Sequence, residues 1–99
     1  AAHLTADLST EALAQALGVS YRVLHYAFED SLGVSPYRFM LTQRLHEVRR
    51  LLKSGDVSVR EASGNLGFDN PSRFSRQYER HFGELPSATR RHSVIRADR

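Results

Sequence analysis

Between Pro71 and Phe82 the side chains capable of directed hydrogen bonding separate from the aromatic ones. Phe74, Tyr78 and Phe82 recur every four residues and make an apolar stripe, which leaves Ser72, Arg73, Ser75, Arg76, Gln77 and Arg80 outward on a helix. The chemistry of that outer set is recognition. An arginine fork meets the O6 and N7 acceptors of guanine together, and a glutamine amide pairs similarly with adenine, while serine and tyrosine more often touch phosphate. Arg73 and Arg76 are the strongest base-reading pair, with Gln77 beside them and with Ser75 and Arg80 placed for phosphate. An earlier set is less basic: with Leu24, Ala27 and Phe28 expected to face a core, Tyr21, Arg22, His25, Tyr26 and Glu29 remain near an open face.

Bond-making chemistry finds no support. There is no glycine-rich phosphate loop, no nucleophile elbow and no clustered acid pair, so the chain is read as non-enzymatic, with no catalytic residue and no cofactor. His25 and Glu29, four apart, are two possible metal ligands without a third, and no metal site is expected. The absence of cysteine removes disulfides, thiolate sites and cysteine nucleophiles and favours a reducing compartment. No apolar run approaches the roughly 18 residues of a membrane span. The chain does not begin with methionine and reads as a fragment of a longer protein.

Charge is placed unevenly. Residues 1–35 hold one base, Arg22, and four acids; residues 36–99 hold 13 bases and seven acids, all the bases but Lys53 being arginine. That concentration suits planar recognition of phosphate or guanine, although charge alone does not decide between nucleic acid and a solvated surface. Arg44 is expected to orient helix packing, Arg49 and Arg50 to be solvated, and the basic tail from Arg90 to Arg99 to be disordered or loosely attracted to phosphate.

The elements that position these side chains are helical, and they repeat. Leu8, Ala12, Leu13, Ala16 and Leu17 form a first stripe, followed by Leu24, Phe28 and Leu32. Ser9 and Ser20 are placed as N-caps, with Gly18 and Gly33 as stops. Ser35-Pro36 opens a long helix to about Ser54, with Leu41, Leu45, Val48, Leu51 and Leu52 buried and Gly55 ending it. Ser58 and Glu61 have capping-box spacing. Ser9, Leu13, Leu17 and Gly18 correspond 49 residues later to Ser58, Ala62, Leu66 and Gly67. At an offset of 50, Leu24, Phe28, Leu32, Gly33 and Pro36 recur as Phe74, Tyr78, Phe82, Gly83 and Pro86. The pattern predicts an all-α chain of tandem helix-turn-helix units: a first subdomain over residues 1–35, a linking helix over 36–54, and a second subdomain with a C-terminal helix over 55–99.

If Pro36 to Lys53 is one helix, it spans about 27 Å at roughly 1.5 Å per residue. Second helices of such motifs lie in the major groove, and sites on one duplex face recur every ~34–36 Å. The two outward faces are thus placed for successive major grooves. The starts at Pro36 and Pro86 offer free amides for phosphate, with Arg38 and Arg90 nearby. Two rival readings are a helical module that binds protein through an apolar groove and an RNA binder in which Tyr21 and Tyr26 stack on bases.

The run from Gly67-Phe68 through Ser72-Arg73-Phe74-Ser75-Arg76-Gln77-Tyr78 to Phe82-Gly83-Glu84-Leu85-Pro86 resembles the signature of AraC/XylS-type bacterial transcription regulators. Leu24, Phe28, Gly33, Ser35, Pro36, Arg44, Leu45, Leu51 and Leu52 agree with it in the first half. The resemblance implies a seven-helix domain with motifs in adjacent major grooves, joined in the full protein to an effector-binding or dimerising domain. It places base readout on Arg22, His25, Tyr26, Ser72, Arg73 and Arg76, with Pro71 and Gln77 flanking. It also implies double-stranded DNA and RNA polymerase as partners, transcription activation, and a place at the nucleoid in the bacterial cytoplasm. The isolated chain is expected to be monomeric, because it carries two motifs. Where the family has an Ile-Ala pair, this chain has Ala62-Ser63 and then Gly64, which predicts a weaker, more mobile first helix in the second motif.

Overall fold

The structure is a computed structural model that describes residues 9–97, with side chains over 9–93. Six helices form among these residues: α1 Thr10–Leu17, α2 Tyr21–Leu32, α3 Pro36–Ser54, α4 Val59–Asn65, α5 Pro71–Phe82 and α6 Pro86–Ala97. The chain is all-helical there, as its periodicity requires. A seventh helix, implied only by the resemblance, is not among the described residues, and Leu8 lies outside them.

Local chemistry sets the boundaries. The Ser9, Ser20 and Ser35 hydroxyls accept from the amides of Ala12, Val23 and Arg38 at 3.1, 3.2 and 3.3 Å. Ser58 and Glu61 satisfy each other's backbone amides in a complete capping box. Asn70, which sequence inspection did not single out, caps α5 by accepting from the Arg73 amide at 3.0 Å. Gly33 and Gly83 end α2 and α5 at φ 72° and 79°, where a side chain is disfavoured. The other glycine pair is less equivalent. Gly18 is the C-cap of α1, whereas α4 ends on Leu66 and Gly67 follows it at φ 89°.

The central helix packs against α1 and α2 on one side and against α4 and α6 on the other. Its Leu45, Val48 and Leu52 join Ala62, Leu66, Phe74 and Tyr78 in one buried cluster. Leu41 and Leu51, expected to be buried, sit at the edge of that cluster and are half-buried. Arg44 is 1% exposed and makes its contacts within the fold, so the packing role expected for it holds. The long axis is 49 Å against 23 Å for the other two, and the radius of gyration, 15.1 Å, exceeds the roughly 13 Å of a compact chain this size.

The two halves are unequally packed. α3 stands to α1 and α2 as α6 stands to α4 and α5, yet α3 also packs on the second half. Among the described residues, four helices therefore enclose the second core and three the first. Several first-half expectations differ: Ala16 and Ala27 are exposed, and Leu17 and Leu32 are 58% and 53% exposed, with no further helix over them among the described residues. Burial also runs against a weaker second motif, since Ala62 is fully buried and Leu66 nearly so, while α1 buries only Ala14. The small side chains at Ala62 and Ser63 fit a close approach to α3. The tail departs from expectation too, because residues 90–97 are helical; Asp98 and Arg99 lie outside the described residues. Amide hydrogen exchange should therefore be slower over residues 59–65 than over 10–17. The reverse order would show that the side-chain deficit of α4 outweighs its burial.

Candidate nucleic-acid interface

On α5, Phe74 and Tyr78 are buried and Phe82 is half-buried, so the helix has one rotational setting against the core. Ser72, Arg73, Arg76 and Arg80 are exposed on its other side, and Ser75 and Gln77 are half-exposed. The six predicted residues thus share one helix, though not one line. Arg73 and Gln77 border a cleft of about 310 Å³ with Ser9, Tyr37 and the α4–α5 turn. Gln77 and Arg80 border a second, of about 280 Å³, with Tyr37, Arg38 and Thr42. Tyr37, 40% exposed in both clefts, was missed; its exposure depends on the turn from Ser35 into α3, which periodicity does not reveal.

The setting of α5 is fixed by contacts that sequence reasoning also missed. The buried Tyr78 hydroxyl donates to Thr89 Oγ1 on α6 at 2.8 Å, and Thr89 donates onward to Glu84. The Thr89 bond, with help from the charges of His92, Arg49 and Lys53, holds the Glu84 carboxyl below its usual range. Burial pushes the Tyr78 phenol up. Arg49, expected to be solvated, is half-buried with its guanidinium 4.7 Å from the Phe82 ring centroid, because α3 brings it over that ring. Arg50 does lie on the surface, paired with Glu47.

On α2, Leu24 alone is fully buried and Phe28 packs edge-on against Phe39 at 5.4 Å. Tyr21, Arg22 and Tyr26 are exposed. His25 lies half-buried between the rings of Tyr21 and Tyr26, 5.9 and 6.0 Å away, with its Nε2 3.9 Å from Glu29. The Arg22 guanidinium is 6.0 Å from the Tyr26 ring. These four residues form one aromatic-basic patch. No group of three or more metal-ligating side chains occurs among the described residues.

The helix starts offer less than expected. The Arg38 amide is already satisfied by Ser35, and Pro36 and Pro86 are buried, although the Arg38 side chain is exposed. Arg90 stands apart from the other predicted phosphate contacts: its Nε donates to the Val57 carbonyl at 2.7 Å, tying α6 to the α3–α4 turn.

A helix-turn-helix domain family model matches residues 13–92. The chain belongs to that family, the AraC-type helix-turn-helix domains. It is 39% identical over 88 residues to the HTH-type transcriptional regulator CdhR of Pseudomonas aeruginosa, covering 89% of this chain and 26% of CdhR. To the HTH-type transcriptional activator RhaS of Escherichia fergusonii it is 33% identical over 88 residues, covering 89% of this chain and 32% of RhaS. The chain thus spans between a quarter and a third of these relatives. Among solved structures, the DNA-binding domain of the global transcriptional factor AdpA in complex with a target DNA superposes with a TM-score of 0.84. The identity is 32%, over 95% of this chain and 85% of that one. An AraC-type transcriptional regulator from Chromobacterium violaceum gives 0.76 at 33% identity, over 86% and 76%. All four are named for transcription or DNA binding, in keeping with a non-enzymatic chain.

The relay from Tyr78 to Thr89 yields a double-mutant prediction. Thr89→Val leaves a buried hydroxyl without a partner and should cost about 1–3 kcal/mol of stability, whereas adding Tyr78→Phe should recover part of that loss. Denaturant unfolding of the two single variants and the double checks this. Additive losses would mean that the hydroxyls do not depend on each other.

Proposed function

We propose that this chain binds duplex DNA sequence-specifically, with α2 and α5 in successive major grooves of one duplex face. In a longer protein it serves as the reading part of a transcription regulator acting on the nucleoid in the cytoplasm. One observation carries the reading: two 12-residue helices, each N-capped and glycine-stopped, each bury one face and leave a polar, partly basic face open, on a body 49 Å long. That length accommodates the ~34–36 Å between adjacent groove faces. The AdpA domain, similar over nearly all of this chain, is bound to DNA.

In this reading Arg22, His25 and Tyr26 read bases from α2, and Ser72, Arg73, Arg76 and Gln77 from α5. Tyr21, Arg38, Ser75 and Arg80 grip phosphate. Arg90 contributes more to holding α6, given its bond to Val57. Similarity to RhaS, named an activator, supports activation and with it a contact to RNA polymerase. The subdomain limits at residues 35 and 54 belong to this proposal, as do monomeric binding and an effector or dimerising domain elsewhere in the full protein.

Selection of bound duplexes from a random library tests it. Two enriched blocks about one helical turn apart are expected; a single block would restrict base reading to one motif, and salt-insensitive binding would favour a protein-docking role. On a selected site, Arg73→Ala or Arg76→Ala should cost about 1–3 kcal/mol and relax preference locally. Arg38→Ala should weaken all sequences alike. Equal losses on selected and random duplexes, measured by anisotropy, would reduce Arg73 and Arg76 to phosphate contacts.

A further inference from the structure

The cleft of about 280 Å³ between the first half of α3 and the last turns of α5 has a one-sided chemistry. Its polar lining is Tyr37, Arg38 and Thr42 from α3 and Gln77, Arg80 and His81 from α5, beside Leu41 and Leu45 of α3; no carboxylate lines it. Arg38 and Arg80 are exposed and have no ion-pair partner among the described residues. Two guanidinium groups, two hydroxyls, an amide and an imidazole converging without an acid match a tetrahedral anion. The cleft adjoins the face of α5 that carries Gln77 and Arg80, so a duplex read by α5 would bring its backbone there.

We propose that this cleft seats one phosphodiester of the DNA backbone, held by Arg38 and Arg80 with the Tyr37 and Thr42 hydroxyls and with His81 at its wall. The inference rests on the duplex-binding reading and adds to it a single seat shared by both helices, with three residues that sequence reasoning did not assign.

The seat has a proton consequence. His81 Nε2 lies 3.2 Å from His46 Nε2 across α3 and α5, so one ring donates and the other accepts. Burial, His46 and the Arg38 charge, in that order, hold the His81 imidazole below its ordinary range. The groups facing the pair are Arg38 from α3 and the Phe82 ring, itself under Arg49; neither imidazole has an acidic partner among the described residues. A phosphate in the cleft offsets the Arg38 charge and favours the imidazolium. With His81 as the donating ring, one proton from solvent then enters at its Nδ1 while its Nε2–H stays on the His46 lone pair. Because binding raises affinity for a proton, DNA affinity rises as pH falls through the histidine range.

The test uses the 99-residue chain and a short mixed-sequence duplex at fixed low ionic strength. Anisotropy should show binding tightening from pH 8 to pH 6, with roughly three- to tenfold of that gain lost in His81→Gln and kept in His92→Gln. Imidazole proton resonances of the unsubstituted chain should show the His81 titration midpoint moving up when duplex is added, which needs no variant to fold. If the duplex binds but that midpoint stays put, the cleft holds no phosphate while the DNA reading stands. If no duplex binds even at low salt, both readings fail.

Discussion

Burial of α3 on both of its sides is the constraint from which the rest follows. Val48 and Leu52 are completely enclosed and Arg44 is almost so, while the earlier turns of the same helix take the packing of α1 and α2. A continuous helix fixes distance and phase together, at roughly 1.5 Å and 100° per residue. One residue inserted into α3 would swing one motif by about 100° relative to the other, although each would keep its own caps and core. The relative placement of α2 and α5 therefore lies in the length of α3 more than in either motif.

That shared helix also accounts for the inequality of the halves. Among the described residues the repeat gives each half three helices, but the second borrows α3 as a fourth, and its aromatic core of Phe68, Phe74, Tyr78 and Phe82 is correspondingly larger. The better-supported of the two 12-residue helices, α5, is the one with three arginines on its surface. An arginine fork discriminates bases only when its helix is held still, so rigidity and cationic readers belong together. The α2 surface carries one arginine among tyrosines and a histidine, on the half with the smaller described core.

What was legible in the sequence was whatever depends on near neighbours. Ser9, Ser20, Ser35 and the Ser58–Glu61 box act within three residues, and Gly33 and Gly83 act at the residue that must turn, so caps, stops and the repeat could all be read. Burial that depends on a distant partner could not. Leu17 and Leu32 obey the helical stripe yet stay exposed among the described residues, because a stripe alone does not say whether a partner lies over it. Arg49 looks solvated until α5 brings Phe82 beneath it, and Thr89 reveals its role only once α6 meets Tyr78. The outer face of α5 was readable because the aromatic stripe inside it is unambiguous. The cleft beside it was not, since Tyr37 and Thr42 lie about 40 residues from Gln77 and Arg80 in the chain.

The arginines show how one composition divides between fold and surface. Arg44 is buried, Arg49 covers an aromatic ring, Arg50 is paired with Glu47, and Arg90 bonds a carbonyl of another turn. Arg22, Arg38, Arg73, Arg76 and Arg80 are exposed and have no ion pair among the described residues, as do Arg60 and Arg91 away from α2 and α5. A net charge of +3 is thus a poor measure of what a duplex would meet. The paired and buried arginines contribute little to the field outside, whereas five of the open ones sit on α2 and α5 or, as Arg38 does, beside them. Acids near those open arginines would have stabilised the isolated chain only slightly, since exposed pairs are worth about 0–1 kcal/mol. They would also have cancelled the potential that draws phosphate. Leaving these guanidinium groups unpaired costs the fold little and keeps them available to an anion.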